Sequence, residues 1–239
     1  MRIGLFDSGL GGLNVLKEMI KKHPVNEYIY YGDNVNIPYG NKSKDELIKL
    51  SEKIVEFLIS EKVDVIIIAC GTCSSTVYEH LKEKYQVPIF DILSPTISYL
   101  KDENFNIGVI GTLATINSGY FNQKLSNVKT LATPDLVPLI ESDRINSIEC
   151  EDILKNYLAK LPDIDTLVLG CTHYPLLKDV ILKIRNVRLI DMGVILSENI
   201  PIKEGNSFKL TIYFSDLNPI IEKHISNYFS SYTLYERKI

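Results

Sequence analysis

Two cysteines stand where apolar stretches of the chain stop. Cys70 closes the run VDVIIIAC and Cys171 closes the run DTLVLGC, and small polar residues and then a helical pattern follow each of them. A thiol at such a place lies near free helix N–H groups, which favour an anion and lower the pKa of the thiol. An unperturbed thiol is only about 3% thiolate at pH 7, so this help matters for proton transfer. His173, close after Cys171, is an acid–base group that can assist it.

Other interpretations of these cysteines remain open at this point. A cysteine that ends an apolar strand is more often a small buried residue than a catalyst. Two cysteines at equivalent places of a repeat, one of them beside Thr172 and His173, favour function instead. The stretch Cys70-Gly71-Thr72-Cys73 is also a C-x-x-C, typical of a redox pair or of half a zinc site, although no second C-x-x-C follows. Cys150 lies in the amphipathic stretch SIECEDILKNYL and is predicted to be a core residue.

The elements that would position these thiols follow an alternating pattern. Short β-branched runs alternate with longer helical patterns, which predicts βαβ units, a parallel sheet and an α/β fold. The order restarts after Ser94-Pro95, because RIGLFDSG, DVIIIAC and VPIFD each recur about 100 residues later as NIGVIGTL, DTLVLGC and VRLID. We therefore predict two similar α/β lobes, residues 1–93 and 94–197, with the tail 198–239 completing the first lobe. Ligands of open α/β sheets bind beyond the carboxyl ends of the strands, where both thiols lie.

Two further stretches follow predicted strands. FDSGLGG opens a helix but lacks the G-x-G-x-x-G spacing and the P-loop lysine, so it gives little support to nucleotide binding. Its Asp7 is either a helix N-cap or a carboxylate that exchanges protons with Cys70, with Ser8 donating to a ligand. The loop YYGDNVNIPYGNKS, with Pro38-Tyr39-Gly40, is either plain turn chemistry or a segment that closes over a ligand.

Composition excludes several classes of protein. The chain has 239 residues, a formal net charge of -4 and 45% hydrophobic residues, which is typical of a globular protein. Its basic residues are interleaved with acidic ones, so no clustered basic face for nucleic acid is expected. No apolar stretch approaches the roughly 20 residues needed to span a membrane. Four cysteines without the density of a disulfide scaffold predict reduced thiols and a cytoplasmic location.

The motifs resemble those of the glutamate racemases, within the aspartate/glutamate racemase superfamily. IGLFDSGLGG, YYGDNVNIPYG, VIIIACGTCSS, IGVIGTLATINSGYF and LVLGCTHYPLL carry the resemblance, which extends over nearly the whole chain. It implies two pseudo-symmetric lobes with the active site in the cleft between them, in agreement with the repeat. It implies racemisation of glutamate without a cofactor, and no metal. A homodimer is compatible with it.

The resemblance also implies roles for individual residues. Cys70 and Cys171 would be the two acid–base thiols, assisted by Asp7, His173 and Glu141. The substrate-binding residues would be Asp7, Ser8, Tyr39, Gly40, Gly71, Thr72, Thr172 and His173. Inverting a stereocentre requires a base on one face to remove the α-hydrogen and an acid on the other face to return one, which two facing thiols would provide.

The chain departs from the family pattern near the first thiol. Gly71 stands where the family usually has Asn, and losing one hydrogen bond to a charged head group is worth about 1.5–3 kcal/mol. The Thr and Arg that often precede Pro-Tyr-Gly are missing, and Cys73 replaces a small residue. The resemblance as a whole still leads us to expect a glutamate racemase that serves peptidoglycan synthesis. An aspartate or broad aspartate/glutamate racemase, and a non-catalytic amino-acid binding or regulatory module, are the alternatives.

Overall fold

The computed structural model of the protein describes residues 1–101 and 105–239. Within these residues the chain forms ten strands and twelve α-helices. The strands are β1 (Arg2–Asp7), β2 (Glu27–Gly32), β3 (Val65–Ile68), β4 (Ile89–Asp91), β5 (Ile107–Gly111), β6 (Val128–Ala132), β7 (Thr166–Leu169), β8 (Arg188–Asp191), β9 (Lys209–Phe214) and β10 (Thr233–Glu236). The helices are α1 (Gly12–Lys22), α2 (Lys44–Ser60), α3 (Gly71–Thr76), α4 (Tyr78–Lys84), α5 (Leu93–Lys101), α6 (Leu113–Asn117), α7 (Tyr120–Lys124), α8 (Leu136–Glu141), α9 (Ile148–Ala159), α10 (Lys178–Ile184), α11 (Met192–Asn199) and α12 (Pro219–Tyr228).

The strands form two sheets, and the predicted α/β class is confirmed. One sheet has the order β10-β9-β2-β1-β3-β4 and the other has the order β6-β5-β7-β8. Every pairing within the described residues is parallel. The run β2-β1-β3-β4 has the same order as β6-β5-β7-β8, so the internal repeat of the sequence corresponds to a repeated sheet.

The C-terminal tail adds to the edge of the first sheet. Its strand β9 pairs with β2, and β10 pairs with β9. The helix α12 lies between these two strands in the chain. The lobe boundaries at residues 93 and 197 remain a prediction.

Buried apolar residues explain why the layers form. The four residues of β3 and the four of β7 are all buried, as expected for strands with helices on both faces. Helix α1 buries Leu13, Leu16 and Met19 along one side, and each such side chain contributes about 1.5–3 kcal/mol. Helix α1 packs against α11, and α11 packs against α5, so helices from both halves of the chain contact one another.

The parallel strands bring the chemically active residues to the same sheet edges. Asp7 is the last residue of β1, and Cys70 follows β3 after one alanine. In the second sheet, Thr112 follows β5 and Cys171 follows β7 after one glycine. None of the helices in the described ranges is both long and apolar enough to cross a membrane.

Candidate active site

Both thiols line one cavity between the two halves of the molecule. The void measures about 650 Å³ with its mouth to solvent included, a size typical of sites for small molecules. Most of the residues that the sequence assigned to the substrate line it: Ser8, Tyr39, Gly40, Gly71, Thr72, Thr172 and His173. Asp7 and Glu141 do not line the cavity but lie behind its wall, where they contact residues that do.

Asp7 is fully buried at the end of β1. Its Oδ1 accepts a 3.0 Å hydrogen bond from the Gly9 amide, and its Oδ2 accepts one of 3.1 Å from Thr172 Oγ1. Burial raises the pKa of Asp7, while the nearby His173 and these two hydrogen bonds oppose the rise. Asp7 therefore titrates above the usual range of an aspartate, as expected for a group that exchanges protons.

Cys70 is the N-cap residue of α3 and is almost completely buried. A hydrogen bond from the Cys73 thiol lowers the pKa of Cys70, and burial and the charge of Asp7 oppose this effect. The Ser8 hydroxyl lies 3.8 Å from the Cys70 sulfur. The neighbouring Cys73 and Ser8 therefore both act to lower the pKa of the first thiol.

A histidine and a glutamate lie in series beside Cys171. The Cys171 sulfur lies 3.6 Å from His173 Nδ1, and His173 Nε2 lies 2.5 Å from Glu141 Oε1. Burial would lower the pKa of His173, but the hydrogen bonds and charges of Cys171 and Glu141 raise it well above its usual value. The protonated ring is thus favoured, and each of its nitrogens has a hydrogen-bond partner, the sulfur on one side and the carboxylate on the other.

Glycines allow the two halves to approach each other closely at the site. A Cβ on Gly11 would lie 2.4 Å from His173 Nδ1, so the turn after β1 can reach the second thiol only without a side chain there. A Cβ on Gly71 would lie 2.9 Å from the carbonyl oxygen of Gly170. Since Gly71 follows Cys70 and Gly170 precedes Cys171, this second contact joins the two thiol-bearing turns. It supplies a physical reason for glycine at position 71.

Sequence reasoning missed some residues of the site. Thr112 lines the cavity and lies 2.9 Å from Thr72, hydroxyl to hydroxyl, across the two halves. The repeat could have revealed it, because RIGLFDSG aligned with NIGVIGTL places Thr112 opposite Ser8. Asp33 was also missed, and its Oδ2 accepts a 2.6 Å hydrogen bond from the hydroxyl of cavity-lining Tyr39.

The structure also bears on metal binding and on the fourth cysteine. No group of three or more His, Cys, Asp or Glu side chains in the described residues is placed to hold a metal ion. Cys150 is fully buried within α9, away from the cavity. The four cysteines are all free.

Comparison with known proteins defines the class of this protein. The sequence profile of the family described as Asp/Glu/Hydantoin racemase matches residues 7–198. The chain belongs to that family.

Within the family the chain is similar to the glutamate racemases. The glutamate racemase of Aquifex pyrophilus is 39% identical over 232 residues, which cover 93% of this chain and 91% of the relative. That of Fusobacterium nucleatum is 42% identical over 207 residues, covering 82% and 78%. The crystal structure of the Francisella tularensis enzyme with D-glutamate superposes with a TM-score of 0.87 at 31% identity, covering 99% of this chain and 97% of that one. These comparisons confirm the resemblance to glutamate racemases and, with it, an isomerase that racemises glutamate.

Proposed function

We propose that this protein interconverts L- and D-glutamate without a cofactor, by proton transfer between the substrate and two thiols. The observation that carries the proposal is that Cys70 and Cys171 line the same cavity from opposite halves of the molecule. One thiolate would take the α-hydrogen from one face of the substrate, and the other thiol would return a proton on the opposite face. Reversal of the reaction exchanges the two roles.

The partners of each thiol support a division of labour. Around Cys70, Ser8 and Cys73 favour the thiolate, and buried Asp7 stands beside the same turn as a proton-exchanging carboxylate. Around Cys171, the His173 ring, held by Glu141, would supply or recover the proton of the sulfur. The first thiol would therefore start as a base and the second as an acid for one enantiomer.

The wall of the cavity offers groups that suit an amino acid. Ser8, Thr72 and Thr172 line it, and so does the Tyr39-Gly40 turn. The hydroxyls of Ser8 and Thr72 would hold the substrate carboxylates and stabilise the carbanionic transition state in a site poor in water. Structures of relatives are described with D-glutamate, for the Francisella tularensis enzyme, and with L-glutamate, for the Escherichia coli enzyme.

Aspartate is a second candidate substrate. Gly71 leaves the cavity without the amide that the family usually places after the first thiol. Because aspartate and glutamate share the charged head group that such an amide would bind, the remaining contacts to the head group do not select one acid over the other. D-Glutamate made by this reaction would supply peptidoglycan synthesis, in the cytoplasm.

Loss of optical activity in a solution of L-glutamate tests the proposal. We expect racemisation by the purified protein that resists both a chelator and a carbonyl reagent such as hydroxylamine, because neither a metal nor an aldehyde cofactor takes part. Calorimetry in parallel measures binding. Heat of binding without any racemisation would instead support an amino-acid binding or regulatory module.

A further inference from the structure

Cys73 is a second thiol beside the first catalytic thiol, and it does not itself exchange a proton with the substrate in the proposed reaction. It is fully buried and does not line the cavity, whereas Cys70 lines the cavity and is 4% exposed. The sulfur of Cys73 lies 3.5 Å from the hydroxyl of Ser51 on α2. Cys73 thus stands immediately behind Cys70, out of reach of the substrate.

The helix places these two thiols on the same side. Cys70 is the N-cap of α3 and Cys73 is its third residue, with a backbone hydrogen bond from Ser74 to the Cys70 carbonyl closing the turn. Side chains at these two positions meet in a capping box, as Ser43 Oγ and Glu46 Oε2 do at 2.6 Å at the start of α2. Residues three apart on a helix also fall within the roughly 4.4–6.8 Å between Cα atoms that a disulfide needs.

The environments of the two sulfurs differ as the reaction of a redox pair requires. The hydrogen bond from Cys73 lowers the pKa of Cys70, so the thiol that faces the cavity is the more nucleophilic thiolate. Burial raises the pKa of Cys73 well above its usual value, which keeps it protonated until it reacts. A small oxidant that enters the cavity would therefore meet Cys70 first, with Cys73 held ready behind it.

We propose that Cys70 and Cys73 form a reversible disulfide that switches the enzyme off when a hydroperoxide enters the cavity. The Cys70 thiolate attacks one peroxide oxygen and the O–O bond breaks, so Cys70 becomes a sulfenic acid. With hydrogen peroxide, the other oxygen leaves as hydroxide, which takes a proton from solvent and becomes water. The Cys73 sulfur then attacks the Cys70 sulfur. The S–O bond breaks, hydroxide takes the Cys73 proton and leaves as water, and the S–S bond forms. A dithiol reductant returns both thiols by exchange.

The proposal rests on the proposed function only for the activity readout. Treatment of the protein with hydrogen peroxide should abolish racemisation, and dithiothreitol should restore most of it. Mass spectrometry of the unreduced tryptic peptide 63–82, which contains both cysteines, should show the loss of two hydrogens. This mass reports the disulfide even if the protein proves to have no racemase activity, so the two proposals can fail separately.

The variants Cys73→Ser and Cys73→Ala make the test specific. Cys73→Ser keeps a hydrogen-bond donor for Cys70 but cannot form the bridge, so prolonged peroxide should carry Cys70 to the sulfinic acid, and dithiothreitol should recover a several-fold smaller fraction of activity than in wild type. Cys73→Ala checks the same result without the donor, and Cys150→Ser should recover like wild type. Recovery of the Cys73 variants equal to wild type would overturn the proposal. So would inactivation without the intrapeptide disulfide, or a bridge from Cys70 to Cys171.

Discussion

The side chain of Thr172 donates a 3.1 Å hydrogen bond from Oγ1 to Oδ2 of Asp7. Asp7 ends a strand of the six-stranded sheet, whereas Thr172 follows a strand of the four-stranded sheet. The turn that carries the second thiol is therefore tied to the carboxylate beside the first. Asn14 strengthens the same junction, because its side-chain amide donates a 2.9 Å hydrogen bond to the Thr172 carbonyl. The two halves of the proposed machinery are coupled through hydrogen bonds as well as by packing.

Replacing Thr172 by valine tests this coupling. The change removes a donor to a buried carboxylate, so we expect kcat/KM to fall by one to two decades, the equivalent of about 1.5–3 kcal/mol. Loss of the donor also raises the pKa of Asp7 further, so the acid limb of the pH profile should move to higher pH. Thr172→Ser keeps the hydroxyl and serves as the control. A Thr172→Val variant with the rate and pH profile of Thr172→Ser would contradict the role of this hydrogen bond.

Glu141→Gln should make the free energy of unfolding depend on pH in a defined direction. The pKa of His173 is raised in the folded state, so protonation of this ring stabilises the fold. That contribution to the free energy of unfolding is fully present below the pKa of the unfolded histidine, about 6.5. It is lost as the pH rises through the pKa of the folded state. Glu141 provides part of that stabilisation. The stability difference between wild type and Glu141→Gln, measured by urea denaturation, should therefore be largest near pH 6 and shrink at alkaline pH.

The matched control for this measurement is Glu149→Gln. Glu149 forms an ion pair of 2.7 Å with Arg144, but both side chains are about half exposed, and such pairs contribute about 0–1 kcal/mol. We expect a small difference from wild type that does not change over the pH range in which His173 titrates. A pH-independent effect of Glu141→Gln would show that the His173–Glu141 pair is not the titrating element.

Substitution of Gly71 distinguishes two accounts of this glycine. In one it only lacks the amide of the family's Asn, and in the other it is needed for the close approach to Gly170. If glycine only removes an amide from the family pattern, Gly71→Asn should raise activity. Because a Cβ there would lie 2.9 Å from the Gly170 carbonyl oxygen, we expect Gly71→Asn and Gly71→Ala both to lower kcat by forcing the two thiol-bearing turns apart. Steady-state kinetics on both variants decide the matter. A gain in kcat/KM for Gly71→Asn would refute the close-approach account.

Serine in place of each thiol should separate the two faces of the reaction. Cys70→Ser and Cys171→Ser should each abolish racemisation, because each leaves only one competent acid–base group. Each variant should still catalyse one-sided chemistry, such as elimination from β-chloroalanine, with opposite preference for the D and L forms. Equal losses with both enantiomers in both variants would contradict the assignment of one thiol to each face.

Much of the architecture could be predicted because its signals are local and repeated. Apolar strands that end in cysteine placed Cys70 and Cys171 at sheet edges. The repeat of about 100 residues predicted two similar α/β lobes, and the structure contains two sheets that share a run of four strands in the same order. The resemblance then grouped His173 and Glu141 with the thiols, and the structure places those two side chains 2.5 Å apart.

The remainder depends on contacts between distant segments. The pairing of β9 with the edge of the first sheet, the hydroxyl contact between Thr72 and Thr112, and the approach of Gly71 to Gly170 arise from how the halves meet. The hydrophobic pattern within one stretch carries no information on contacts between segments that are distant in the sequence. The same limit applied to Cys73, whose place behind Cys70 follows from the turn of α3 and the position of α2.

The most direct test of the two-thiol account is α-hydrogen exchange in D2O with each enantiomer of glutamate and of aspartate. Starting from L-glutamate, the account predicts that newly formed D-glutamate carries deuterium at Cα while the remaining L-glutamate is still unlabelled at early times. Starting from D-glutamate, the new L-glutamate should carry the deuterium and the remaining D-glutamate should not. The reason is that a different group acts on each face of the substrate. Exchange into the starting enantiomer ahead of racemisation, or no exchange with any of the four substrates, would contradict it.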